Sequence, residues 1–238
     1  MIYYTDESGV FTYKGTEFIM LKISLDELSP KVYRVLTINA NHTLHDLHFF
    51  IQGAFEWLVS ETFHFDVDSH SIEKSLKNVF AETKQIHYLY LGWKHVVEVV
   101  PHKEVIGKIS VLSPCIDGKR SRPPEFIRTV ESYHAFLKIV AEPEHPQHEE
   151  MLTTAEKDTH GRMFDPEYFY KRAANRKIDY YFSICKLCLE DGVIGSIEAS
   201  DEGPIYIQTD HGPVSLSELE DLLRKYANQA TIEIKVRK

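Results

Sequence analysis

The sequence predicts an α+β fold: an antiparallel sheet with a hairpin-helix opening, further helices packed on it, and a small C-terminal ββαβ module. Three observations carry this. Apolar alternation over 18–25 and a β-prone run over 31–38 flank a Ser-Pro step at 29–30, the pattern of a hairpin. A helix-period pattern follows at 43–58. Beyond residue 178 the chain restarts with short strand-like runs, a capping box and a last alternating segment, so the domains are drawn at 1–178 and 179–238.

Ile19, Leu21, Ile23 and Leu25 fall on one face of the first strand of the hairpin. In NHTLHDLHFFIQGAFEWL, Thr43 is the expected N-cap with Asp46 three residues on, and Leu44, Leu47, His48, Ile51, Phe55 and Leu58 share a helical stripe. FHFDV (63–67) reads as a short strand and the polar stretch 70–85 as a helical excursion. The run 86–100, IHYLYLGWKHVVEVV, is β-prone and broken at Gly92 by a turn or bulge. In PCIDGKRSRPPE (114–125), Asp117-Gly118 is expected to turn and Pro123-Pro124 to stiffen the approach to a helix that begins near Pro124 and runs through Val130, His134, Leu137 and Ala141. A further helix is expected after the prolines of EPEHPQHEEML, and another over 164–178 with Pro166 in its first turn. In the C-terminal module, VIGSIEAS and GPIYIQT read as strands. Ser215 and Glu218 then cap a helix, and TIEIKV closes the pattern.

With 238 residues, 43% apolar and 26% charged, the composition is that of a soluble globular chain. A net charge of −9 disfavours a non-specific grip on nucleic acid or anionic membrane, which needs surplus Lys and Arg. Three cysteines cannot all pair, no secretory leader pattern opens the chain, and no apolar run is long enough to span a bilayer. The expectation is a cytoplasmic protein without a cofactor, its partner most simply another protein.

Several short patterns, in order, resemble the plasmid pRiA4b ORF-3-like family. They are Tyr33, Arg34 and Val35 for its aromatic-Arg pattern, and Asp46, Leu47, His48, Ile51, Gln52, Ala54 and Trp57 on the first helix. Tyr88, Tyr90, Trp93 and His95 follow in the middle strands, then Cys115, Asp117, Gly118, Pro123, Pro124 and Glu125 in the loop. Next come Tyr133, Phe136 and Leu137, then Pro143, His145, Pro146 and His148, and last Phe164-Asp165-Pro166-Glu167 with Phe169 and Asn175. The resemblance spans roughly 18–178. It implies an α+β fold with an antiparallel sheet, in a family of no established biochemical role, some of whose members travel with transposons. The chain departs from the pattern where Arg122 stands for a second Cys and Phe126 for an Asp, and where Gly92 and Trp93 adjoin without intervening acids.

Four constellations bear on chemistry. His48, Gln52, Trp93 and His95 would meet if the first helix packs on the middle strands, forming a candidate pocket. Lys119, Arg120 and Arg122 form a candidate anion or local nucleic-acid site, against the simpler reading of a stiff loop with solvated cations. His145 and His148 are separated by Pro146 and lack the H-E-x-x-H order, and Cys185-x-x-Cys188 has no second knuckle, so no metal site is assigned. The function expected is that of a non-catalytic binding or interaction protein. The alternatives are an enzyme working at His48 and His95, and anion or nucleic-acid binding through Lys119, Arg120 and Arg122.

Overall fold

The long strand over residues 16–25, its apolar side chains interrupted by Lys22 and Ser24, is the one on which the sheet is built. The computed structural model describes residues 2–4, 9–57, 63–68, 71–100, 113–159, 161–181, 195–198, 206–209 and 212–215. They divide into two compact units, 1–178 and 179–238.

In the first unit β1 (Ile2–Tyr4), β2 (Val10–Tyr13), β3 (Thr16–Leu25), β4 (Val32–Asn39), β5 (Phe63–Phe65), β6 (Gln85–Tyr90), β7 (Trp93–Val99) and β8 (Cys115–Lys119) make one antiparallel sheet. β3 and β4 form the expected hairpin, with Leu25 opposite Val32. β8 extends the sheet beyond β4. On the other side of β3, β2 pairs along Thr16–Ile19 and β7 along Leu21–Ser24, so the two share one edge in tandem. β6 and β5 follow β7. Ile19, Leu21, Ile23 and Leu25 are buried on one face as the alternation predicts, and Met20 and Ser24 are buried on the other. On that second face Met20 joins Phe11, Val35, Val100 and Ile116 in a smaller apolar cluster. A strand covered on both faces reads as a run rather than a strict alternation.

The 86–100 run is a tight hairpin. Leu91 (φ 54°) and Gly92 (φ 81°) form a two-residue turn whose left-handed conformations suit the twist of β6 and β7. Helix α1 (Leu44–Phe55) opens on a complete capping box between Thr43 and Asp46 and ends where Glu56 turns left-handed at φ 59°. Leu58 lies beyond its end, outside the described residues. Nearly every residue of α1 is buried, because the sheet covers one side and α5 (Lys171–Tyr180) the other. Gly53 makes that sandwich possible: a β-carbon there would stand 2.5 Å from the backbone of Ile178. Each large apolar side chain so enclosed contributes about 1.5–3 kcal/mol.

The polar stretch 70–85 contains one short helix, α2 (Leu76–Glu82). Helix α3 (Val130–Ala141) starts six residues later than expected. Pro124 to Ile127 forms a turn, with Ile127 N–H donating to Pro124 O, and the Trp93 indole donates to the Ile127 carbonyl, while Thr129 with Ser132 forms the cap. α4 (His148–Asp158) follows the two prolines. The expected helix over 164–178 begins only at Lys171. Phe164 to Tyr170 is a strap, tied down by Ser121, whose N–H donates to Pro166 O and whose hydroxyl donates to Asp165 O. Asp117 and Gly118 do not turn; they sit inside β8, and Arg120 (φ 67°) takes the left-handed position instead.

The second unit shows β9 (Gly195–Glu198), β10 (Tyr206–Thr209) and β11 (Gly212–Ser215) as an antiparallel three-stranded sheet. The third strand was not anticipated, since Gly212–Ser215 is too short to show a period. The expected capped helix and final strand, like Cys185 and Cys188, lie outside the described residues. No helix among the described residues is long and apolar enough to cross a membrane.

Candidate functional site

The expected helix-on-strand contact exists and is closed. α1 lies across β6 and β7. The Gln52 amide donates to the Tyr88 hydroxyl at 2.6 Å, and that hydroxyl meets His48 Nδ1 at 2.9 Å. The Phe63 ring stacks on His48 with centroids 3.8 Å apart. Directly opposite Tyr88 in the ladder, His95 accepts at Nε2 from Trp57 Nε1–H at 3.2 Å, which leaves His95 Nδ1 to carry the proton and donate to the Tyr88 carbonyl. That arrangement suits neutral imidazole only, because a protonated His95 would set an N–H against the Trp57 N–H. Burial pushes His48 down to about 3 and His95 down to about 4, and holds the Tyr88 hydroxyl well above its ordinary value. His48, Gln52 and His95 therefore come together around Tyr88, with Trp57 as a fifth member. Trp93 shares their face of the sheet but spends its indole on Ile127.

The loop cations go to three different places. Lys119 is exposed. Arg120 pairs with Glu167 at 2.7 Å. Arg122 is buried: its guanidinium lies 4.5 Å over Trp57, meets Asp158 at 2.8 Å and donates to the Glu56 carbonyl. The solvated-cation reading holds for Lys119 alone. Arg122 is withdrawn from water because the Pro123-Pro124 segment and α4 close over it, and Asp158 also accepts from the Glu125 N–H at 2.7 Å.

Arg34, which sequence reasoning took only as part of a pattern, is a second buried cation. It donates to the carbonyls of Ala54, Tyr33, Lys119 and Arg120, at 2.7–3.0 Å. It is also sandwiched between the rings of Phe55 and Phe169 at 4.8 and 4.5 Å. Gly118 leaves the passage for it, since a β-carbon there would come within 2.9 Å of Arg34 Cδ and 2.8 Å of Phe169. Burial lowers Arg34 to about 10, which still leaves it charged at neutral pH. α1 has no basic residue in its own last turn; Arg34 and Arg122 reach its terminal carbonyls from elsewhere and meet the negative end of the helix. Asn175 of α5 pins β8 by exchanging hydrogen bonds with the backbone of Cys115, whose buried thiol is pushed up to about 11.

Open space lies elsewhere. A cleft of about 440 Å³, counting the part open to solvent, is lined by Arg34, Ser121, Arg122, Arg162 and Lys177 with Glu56, Asp158 and Tyr168 among its walls. Arg162 stacks 3.7 Å over the Tyr168 ring and faces Glu56 at 3.8 Å. No motif marked Asp158, Arg162, Tyr168 or Lys177; they meet only because α4, the strap and α5 converge on the loop. His145 and His148 make local contacts, accepting from Gln147 N–H and facing the Ile139 carbonyl. Among the described residues no group of three or more His, Cys, Asp or Glu side chains is placed to hold a metal ion.

An eight-stranded sheet carrying a buried polar network, with a charged cleft beside it, defines an α+β domain of a recognisable kind. A model of the plasmid pRiA4b ORF-3-like protein family matches residues 17–173, and the chain belongs to that family. It is 24% identical to the uncharacterized protein y4hQ of Sinorhizobium fredii over 156 residues, covering 56% of this chain and 78% of that one. The fold is similar to the crystal structure of MM3350, a protein of unknown function from Methanosarcina mazei, with a TM-score of 0.52 and 25% identity, over 65% of this chain and 96% of that chain.

Proposed function

We propose that this is a non-catalytic binding or interaction protein whose recognition surface is the cleft between the loop, α4, the strap and α5. One observation carries the reading: the two histidines of the network and the open space are in different places. His48 and His95 are buried and held neutral by burial, inside a network that uses their ring nitrogens structurally. A general acid or base must reach its substrate within hydrogen-bond distance. The cleft offers guanidinium, ammonium, carboxylate and phenol groups, and its carboxylates already face cations, Asp158 meeting Arg122 at 2.8 Å and Glu56 facing Arg162 at 3.8 Å, an arrangement that favours recognition.

Affinity capture with the full chain as bait tests this. A partner should be enriched that Arg162→Glu loses and Lys119→Glu keeps. The opposite pattern would move recognition to the loop cations. A turnover activity abolished by His95→Gln in a folded chain would sink the non-catalytic reading.

A further inference from the structure

We propose that the cleft receives the terminal oxyanion group of its ligand, a carboxylate or a phosphate, with Arg162 as the principal contact and Lys177 beside it. This rests on the cleft being the recognition surface and names what it recognises. The charge balance points to it first. Four cations, Arg34, Arg122, Arg162 and Lys177, line the space against the carboxylates of Glu56 and Asp158, with Glu125 facing Arg122 from outside the lining at 3.7 Å, in a chain whose net charge is −9. The negative end of α1 offsets about half a charge of that excess. Arg34 sends its hydrogen bonds to backbone carbonyls, which satisfy its N–H groups and leave its charge in place. Asp158 is already committed to Arg122 and to the Glu125 N–H. A concave site with low-dielectric walls and surplus positive charge concentrates anions.

Arg162 supplies the geometry. Its guanidinium is oriented by the Tyr168 ring, and Glu56, the carboxylate that faces it among the described residues, meets Nη2 only at the long distance of 3.8 Å. Its Nη1 is buried and has no hydrogen-bond partner among the described residues. A buried, unpaired N–H of a cation is costly and calls for an acceptor, and an oxyanion can take two guanidinium N–H groups at once. The enclosed part of the cleft is narrow, with room for a group the size of about one or two waters. It fits the end of a ligand and excludes a whole metabolite.

The test uses the full chain, melted in sodium phosphate, sodium acetate and sodium chloride at matched ionic strength. Phosphate or acetate should give a saturable rise of about 5 °C at concentrations far above Kd. Chloride should not, and the stronger of the two anions names the source group. The rise should vanish in Arg162→Gln and persist in Lys119→Gln. Should Arg162→Gln not fold, the arginine Nε–H resonances of the unaltered chain decide: phosphate or acetate should move Arg162 and leave the exposed Arg172 in place. An equal response to all three salts, a rise kept by Arg162→Gln, or an unmoved Arg162 resonance would each overturn the proposal, the cleft then holding water only. If capture still finds a partner that Arg162→Glu loses, the binding reading survives that failure; if it finds none, both fall.

Discussion

Acidification should destabilise this protein well above the pH at which its carboxylates titrate. The perturbation is a drop from pH 7 to pH 5, and the groups are His48 and His95. Burial depresses both, to about 3 and about 4, while an unfolded chain holds its histidines near 6.5. Below 6.5 the unfolded state therefore binds protons that the native state refuses, so stability is complete above that value and falls as pH falls toward the folded values. At pH 5 each histidine should have withdrawn roughly 2 kcal/mol, about 4 kcal/mol together, a large share of the 5–15 kcal/mol typical of a domain. Urea unfolding at pH 7, 6 and 5, followed by Trp57 and Trp93 fluorescence, measures this. His95→Gln should start less stable at pH 7 and lose about half of the further decline. A midpoint that stays flat from pH 7 to 5 would show that both rings can charge in the native state, and the sealed-network account would be wrong.

Gly53→Ala should destabilise by about 3 kcal/mol or more, because the new carbon strikes the backbone of Ile178 and not a movable side-chain end; a melting temperature within a degree of the unaltered chain would refute the tight α1–α5 crossing. Asp158→Ala leaves Arg122 buried without its carboxylate and should cost about 3–5 kcal/mol, whereas Lys119→Gln should stay within about 0.5 kcal/mol, both read by thermal unfolding. Limited proteolysis should cut first beyond Tyr181, releasing a fragment close to residues 1–181, since Ile178 is anchored against Gly53; a first cut within 18–57 would contradict the two-unit reading.

Much of the fold was legible because its signals are local. The capping box of Thr43 and Asp46, the β3 alternation and the Gly92 break each act within a few residues, and each appears in the structure where its pattern stands. The errors share one cause. Asp117-Gly118 is a turn signal by composition, and Pro166 a helix-start signal, but tertiary contacts override both. Gly118 is needed where Arg34 and Phe169 crowd the strand, and the Pro166 segment makes a turn that Ser121 ties down. His48, Gln52 and His95 were recognised as neighbours, yet nothing local shows whether a cluster is open or sealed. That depends on Tyr88, Trp57 and Phe63 closing around it. The cleft could not be read at all, because its cations and carboxylates come from five separate segments.

The buried polar groups of this domain have a common address. Arg34 reaches the carbonyl of Ala54, Arg122 that of Glu56, and His95 receives the indole N–H of Trp57, so three strands or loops grip the last turn of α1 within four residues. A helix end carries unsatisfied carbonyls and partial negative charge, and two guanidiniums answer both needs where α1 itself offers no cation. Buried charge adds little to stability compared with apolar packing, but it tolerates one geometry only. Of the residues that carry the family resemblance, Arg34, Trp57 and His95 act in this way at the end of α1, while His48 and Gln52 tie its middle to Tyr88. That point matters because Glu56, at the end of α1, is a wall of the cleft. The network is thus the frame that sets Glu56 opposite Arg162, and a change at Arg34 or His95 should reach the cleft through the position of that helix end.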